Sequence, residues 1–174
     1  MAFRSAQPLR LRPERPWQEH AGFYHDLFAD SAVARALWPD TLGGPRTAEQ
    51  ASEMLAGDIR HWQEESFGPW VFFETATGMF VGRCGLRRTT VVGRESVELL
   101  YAVRSGLWGE GYATEMAATA MAQARRLGLA KVVGFTTITN RASRRVLEKV
   151  GMRFEAILQH AGLPHWLGRS LPNS

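Results

Sequence analysis

Cysteine and lysine are nearly absent from this chain of 174 residues. A single thiol, Cys84, excludes an intrachain disulfide and any metal site built on paired cysteines. It sits in the strand-like run Phe80-Val81-Gly82-Arg83-Cys84-Gly85-Leu86, where a buried, inert thiol is expected. Lysine occurs only at 131 and 149, so nearly all of the 21 basic residues are arginines. The net charge is +4, yet no dense basic run occurs, and aromatic and basic residues do not interleave. That pattern argues against a nucleic-acid platform and leaves room for a local anion such as a phosphorylated cofactor. No apolar run approaches the roughly 20 residues of a membrane helix. No apolar h-region follows Met1-Ala2-Phe3-Arg4-Ser5, so a cytoplasmic location is expected. Repeats, low-complexity tracts and long Pro/Gly/Ser linkers are also missing, so one domain over residues 1–174 is expected.

What is present alternates between two periods. Leu9-Arg10-Leu11-Arg12 reads as a short strand ending at Pro13, and Trp17 to Phe28 as a helix. Thr47-Ala48-Glu49-Gln50 fits a capping box, and the helix it opens runs to about Glu65. Trp70–Glu74, Met79–Leu86 and Ser96–Val103 read as strands, the first two joined by a hairpin-sized loop ending at Gly78. Tyr112 to Leu127 has helical apolar spacing, with Gly128 at its C-terminal cap. Lys131–Thr137 is a β-branched strand, Asn140–Val150 a helix, and Phe154–Gln159 and His165–Arg169 final strands. The order β-α-α-β-β-β-α-β-α-β-β predicts a mixed α/β fold, with an antiparallel meander first and β-α-β crossovers later.

One strand-to-helix junction carries chemistry. Trp108-Gly109-Glu110-Gly111-Tyr112-Ala113-Thr114-Glu115 offers unpaired backbone N–H groups at the positive end of a helix dipole, a seat for a phosphate or pyrophosphate. Gly109 and Gly111 allow close backbone approach, and the small Ala113 keeps the helix start close to the ligand. Two glycines alone would also serve a plain tight turn. The loop lacks the Gly-Lys-Ser/Thr of a P-loop, and Thr114 stands where a dinucleotide fold needs its third glycine.

A second segment follows one strand later: Asn140-Arg141-Ala142-Ser143, then Val150-Gly151-Met152. Together the two segments resemble the GCN5-related N-acetyltransferase (GNAT) superfamily, in particular its RimJ/RimL-like ribosomal-protein N-terminal acetyltransferase branch. The resembling block spans Val97 to about Arg169, and Pro69–Leu86 fits more loosely. The resemblance implies a GNAT fold, with a mostly antiparallel sheet whose splayed strand pair binds acetyl-CoA. The strand Glu98–Val103 would splay from Lys131–Thr137, and the pantetheine arm would bond the backbone of Tyr101, Ala102 and Val103. Trp108, Gly109, Glu110, Gly111, Tyr112, Ala113 and Thr114 would hold the pyrophosphate, with Asn140 and Ser143 near the pantetheine and thiol. Arg144 and Arg145 would approach the adenosine phosphates or remain surface arginines. Trp108 stands where much of the wider superfamily has Gln or Arg, so no basic contact is expected from it.

Acetyl transfer to an amine needs a route for the amine proton, donors for a developing oxyanion, and a donor near the leaving thiolate. Glu98 is the candidate base, as the one acid in the apolar strand Val97–Val103. Burial would raise its pKa, whereas a place on a polar face or an arginine partner would make it structural. Ser143 is the candidate donor to the thiolate, since no Tyr lies between Asn140 and Gly151. It could equally hold the helix N-terminus. His160 and His165 could line an acceptor site or be plain loop histidines. Trp17, Trp38, Trp62, Trp70 and Trp166 are expected as core and cleft-wall aromatics, with Trp38 the one aimed at substrate. Arg83, Arg87, Arg104 and Arg141 imply a neutral or acidic acceptor. The expected activity is transfer from acetyl-CoA to a peptide N-terminus or small amine by a monomer or homodimer. The alternative is a CoA-binding sensor or scaffold without turnover.

Overall fold

The computed structural model describes residues 9–170, so the expectation about Met1–Ser5 lies outside the described residues. Seven strands form one sheet: β1 (Leu11–Glu14), β2 (Pro69–Glu74), β3 (Phe80–Val91), β4 (Arg94–Val103), β5 (Val132–Thr137), β6 (Met152–His160) and β7 (Leu163–Ser170). Their spatial order is β1-β2-β3-β4-β5-β7-β6. All neighbours are antiparallel except β4 and β5. Among the described residues five α-helices flank the sheet: α1 (Ala21–Ala29), α2 (Ser31–Leu37), α3 (Ala48–Glu65), α4 (Tyr112–Arg126) and α5 (Arg141–Lys149).

The expected meander is β1-β2-β3-β4. The crossovers are β4-α4-β5 and β5-α5-β6, the second reaching past β7. One helix exceeds the expected count. The stretch from Trp17 divides into a short 3-10 turn at Gln18–His20 and α1, and a new helix, α2, starts two residues after α1 ends. Asp30 ends the one and caps the other, accepting from the N–H groups of Ala32 (2.7 Å) and Val33 (3.2 Å). The other large difference is the length of the β3–β4 hairpin, which extends to Val91 and Arg94 around a Val92-Gly93 turn. Its outer end is exposed and polar, so no hydrophobic alternation marks it.

Two cores lie on opposite faces of the sheet. On one, Met116, Ala117, Ala120 and Ala124 of α4 and Leu147 of α5 pack on Leu86, Leu99, Val103 and Val132. On the other, Tyr24, Leu27 and Phe28 of α1 and Leu55 of α3 pack on Val71, Phe73, Phe80 and Ala102. Successive strand residues alternate between these faces, which is why β2 reads as a nearly continuous apolar run. A buried ion pair stitches the second face. Arg83 of β3 donates from Nε and Nη2 to Asp58 of α3 (2.5 and 2.6 Å), and the Tyr24 hydroxyl donates to the same carboxylate at 2.6 Å. Among the expected core tryptophans, Trp62, Trp70 and Trp166 are buried; Trp17 is exposed and does not belong to the core.

Candidate active site

The site exists because two neighbouring strands stop pairing. β4 and β5 are in register only at Val97–Val132 and Glu98–Val133. Beyond that point β5 turns to β7 through Thr137–His165, while β4 stays with β3 through Val103–Gly82. A gap therefore opens along residues 99–103. The Val97 N–H bonds Lys131 O on the β5 side, and the Arg104 N–H bonds Val81 O on the β3 side. Strand alternation then turns the peptide groups of Leu99, Tyr101 and Val103 into the gap and those of Ala102 toward β3. Tyr101 and the Val103 N–H thus offer backbone to the gap, whereas the Ala102 peptide groups face β3 although the residue lines the cavity.

At the outer end of β4 a cavity of about 450 Å³ lies between α2, α4 and α5. Gly109 and Gly111 have φ of 85° and 84°, the left-handed region that favours glycine. Gly111 is the N-cap of α4 and supplies no side-chain acceptor, so no cap competes with a ligand for the first-turn amides. Gly111, Tyr112, Ala113 and Thr114 all line the cavity. The loop is pinned from both sides. Trp108 Nε1 donates to Val103 O at 2.8 Å, and Ser105 Oγ donates to Asp30 Oδ2 at 2.5 Å. Arg10 Nη1 donates to Glu110 O (2.9 Å) and Glu115 Oε1 (2.7 Å), with its guanidinium 3.8 Å from the Tyr112 ring. The Glu110 carbonyl is therefore occupied, and Glu110 does not line the cavity. Of the neighbouring arginines, Arg145 lines it together with Lys149, while Arg144 pairs with Glu148 on the surface (2.8 Å).

A second cavity, of about 460 Å³, lies deeper, where β4 and β5 part. Glu98, Phe135, His165, Trp38 and Arg87 are among its walls. The two cavities share Ala36, Leu37, Tyr101, Ala102, Asn140 and Ser143. Glu98 is buried at 7% exposure, as expected of a lone acid in an apolar strand. It is not isolated, because its cross-strand neighbour Arg87 donates from Nη2 to Oε2 at 2.9 Å. Asn140 caps α5 by accepting from the Ser143 N–H at 3.1 Å. The Ser143 hydroxyl lies 2.8 Å from the Tyr101 hydroxyl, which also donates to Ser143 O at 2.9 Å. Burial pushes the Tyr101 phenol well above its ordinary value, so it stays protonated.

The two histidines occupy strands flanking a two-residue hairpin turn, Ala161-Gly162, rather than a loop. His165 is buried and lies edge-on to Phe135 and His160. Its Nδ1 faces Leu163 O at 2.9 Å, so that nitrogen carries the hydrogen and Nε2 keeps its lone pair in the neutral ring. Cys84 is fully buried and its thiol is pushed up by burial, in line with an inert side chain. Arg83 and Arg87 line the inner cavity, whereas Arg104 and Arg141 line neither. Arg46 is a wall residue without any local sequence signal, because it lies far from both motifs, and Phe135 stands on β5, the strand expected to border the gap, without having been singled out. Among the described residues no cluster suited to a metal ion occurs, and no helix is long and apolar enough to cross a membrane.

The family model described as the acetyltransferase (GNAT) domain matches residues 9–153. The FsC-acetyl coenzyme A-N(2)-transacetylase of Aspergillus fumigatus is 31% identical over 147 residues, covering 77% of this chain. The chain spans 58% of that relative's length. Among solved structures, an acetyltransferase from Agrobacterium tumefaciens superposes with a TM-score of 0.76 at 21% identity, covering 97% of this chain and 95% of that one. RimL, a ribosomal L7/L12 alpha-N-protein acetyltransferase in complex with coenzyme A, superposes with a TM-score of 0.78 at 16% identity, covering 95% and 96%.

Proposed function

Since the chain belongs to the GNAT acetyltransferase family, whose members use acetyl-CoA, we propose that it transfers the acetyl group to a primary amine within a ternary complex. The observation that carries this reading is the meeting of the two cavities at Tyr101, Ala102, Asn140 and Ser143. One cavity suits the cofactor and the other an acceptor, with the reacting atoms brought together between them.

Acetyl-CoA supplies an activated thioester, and this chain's residues do the rest. The N–H groups of Gly111 to Thr114 seat the pyrophosphate, and the backbone of Tyr101 and Val103 orients the pantetheine. Glu98, at the apex of the gap, takes the amine proton directly or through one water, while Arg87 fixes its carboxylate. Ser143 Oγ donates toward the departing sulfur, and the Tyr101 O–H behind it turns from Ser143 O to donate to that Oγ, 2.8 Å away. At the finer level we assign the chain to the RimJ/RimL-like branch, acting in the cytoplasm on a peptide N-terminal α-amine or a small-molecule amine. Trp108 at the loop start and the backbone likeness to RimL support that reading. The deciding experiment is release of free thiol from acetyl-CoA across an amine panel. Amine-dependent release is expected. CoA binding without release by any amine would make the protein a CoA-binding sensor instead.

A further inference from the structure

We propose that the acceptor amine also carries a carboxylate, and that Arg46, lying over Trp38 in the inner cavity, recognises it. This rests on the acetyl-transfer reading and names the chemical class of its acceptor.

The charges around the inner cavity carry the argument. Three arginines line it, Arg46, Arg83 and Arg87, against a single acid, Glu98. Arg83 is consumed by its two bonds to Asp58, and Arg87 by its bond to Glu98. Arg46 makes no salt bridge among the described residues. Its Nη1 and Nη2 reach only Leu42 O, each at the long distance of 3.4 Å. Its backbone is anchored, because its N–H donates to Phe28 O at 2.9 Å. Its guanidinium lies 4.1 Å from the Trp38 ring centroid. Stacking spends the face of the guanidinium and leaves its edge, where five N–H donors match a planar carboxylate. Trp38 is itself steadied by Phe28, at 5.4 Å between centroids, so the clamp is built before a ligand arrives.

The same charge set disfavours the opposite kind of acceptor. A polyamine would add cations to a cavity that already holds one uncompensated guanidinium. A carboxylate on the acceptor neutralises Arg46 and leaves each of the three wall arginines paired with one carboxylate. Two sources share this chemistry: a free amino acid, and a peptide whose N-terminal residue is acidic.

The experiment compares matched acceptors in the thiol-release assay. Methionine is set against methioninamide, and an Asp-led tripeptide amide against its Asn-led counterpart, with spermine as the cationic control. In the wild type, the carboxylate member of at least one pair is expected to have a kcat/KM at least tenfold higher. The amino-acid pair would identify a small-molecule acceptor, and the peptide pair a protein terminus. Arg46→Met should bring the ratio within about threefold of unity, chiefly by raising KM for the carboxylate. Arg46→Lys should retain part of the preference. Equal use of both members of each pair, preference for spermine, or an unchanged ratio in Arg46→Met overturns the assignment. A binding measurement separates this claim from acetyl transfer itself. With CoA present, N-acetylmethionine over N-acetylmethioninamide, or the N-acetylated Asp-led tripeptide amide over its Asn-led counterpart, should bind the wild type at least tenfold more tightly. If no amine releases thiol but that difference is found, acetyl transfer falls and Arg46 recognition stands. If the members of both acetylated pairs bind alike, Arg46 recognition falls.

Discussion

At the scale of single residues, the proposed chemistry turns on what surrounds Glu98. Its strand placement isolates it from water, but the cross-strand partner Arg87 holds it at 2.9 Å. If this carboxylate receives the amine proton, Glu98→Gln keeps the shape and removes the base. The expected loss in kcat/KM is about 10²–10⁴-fold near pH 7. CoA affinity should hardly change, because the loop proposed to seat the pyrophosphate lies elsewhere. The loss should shrink as pH rises, since more of the amine is then uncharged without help. Ser143→Ala should cost less, because the Tyr101 hydroxyl remains beside the thiolate. A rate profile between pH 6.5 and 9 for both variants checks this. A Glu98→Gln enzyme within threefold of wild type throughout would move the base to His165, which also lines the inner cavity.

Among the elements, the junctions decide more than the helices and strands themselves. The ion pair of Arg83 and Asp58 joins β3 to α3 beneath the inner cavity, with both side chains almost out of solvent. Removing one partner leaves a buried charge without compensation, so Asp58→Ala should destabilise by about 3–5 kcal/mol in urea unfolding. A cost under about 1 kcal/mol would mean that water reaches Arg83 and that this face is looser than described. The β4–α4 junction is the other decisive one. Gly111 holds φ of 84° with open space around its Cα, so the obstacle to a side chain there is conformational rather than steric. Valine is badly suited to that region. Coenzyme A at 100 times its Kd should stabilise the wild type by roughly 2.7 kcal/mol, about 5–10 °C in Tm. Gly111→Val should abolish that shift while leaving a cooperative transition. A normal shift in the variant would remove the loop from cofactor binding. ATP and NAD should stabilise the wild type much less, because they fill neither the pantetheine gap nor its splayed strand.

Viewed as a whole molecule, the fold buries several weak acids in their neutral forms. Burial raises the Tyr24 and Tyr101 phenols above their ordinary value of 10.0 and the Cys84 thiol above 9.0. In the unfolded chain these groups ionise at their ordinary values, whereas in the folded chain they hold their protons. The stabilisation they give is fully present below about pH 9 and is lost as pH rises through the folded values. Unfolding free energy should therefore fall between pH 9 and 10.5, and a Cys84→Ala chain should begin its decline nearer pH 10. An alkaline slope identical in both would show that the thiol is not shielded.

Much of this was legible in the linear order of residues. Apolar spacing located α3, α4 and α5 and every strand, because helix and strand periods differ and both faces of the sheet are covered. The loop at Trp108–Thr114 was legible too, since glycines before a helix have a local meaning that no distant residue alters. The split at Asp30 was not, because one capping aspartate between two short helices leaves the apolar pattern continuous. An arginine partner for Glu98 was one open alternative, but which arginine it would be was equally hidden. A strand of seven residues shows that an acid is present, but only the β3–β4 register sets Arg87 across from it. Arg46 lies some 50 residues from Glu98 in sequence and shares a cavity with it only because α1 and α2 fold over the β4–β5 gap. Local periodicity and backbone preference act within a few residues and so are written in the sequence. Charge pairing, burial and the walls of a cavity depend on which distant segments meet, and that was decided by tertiary packing alone.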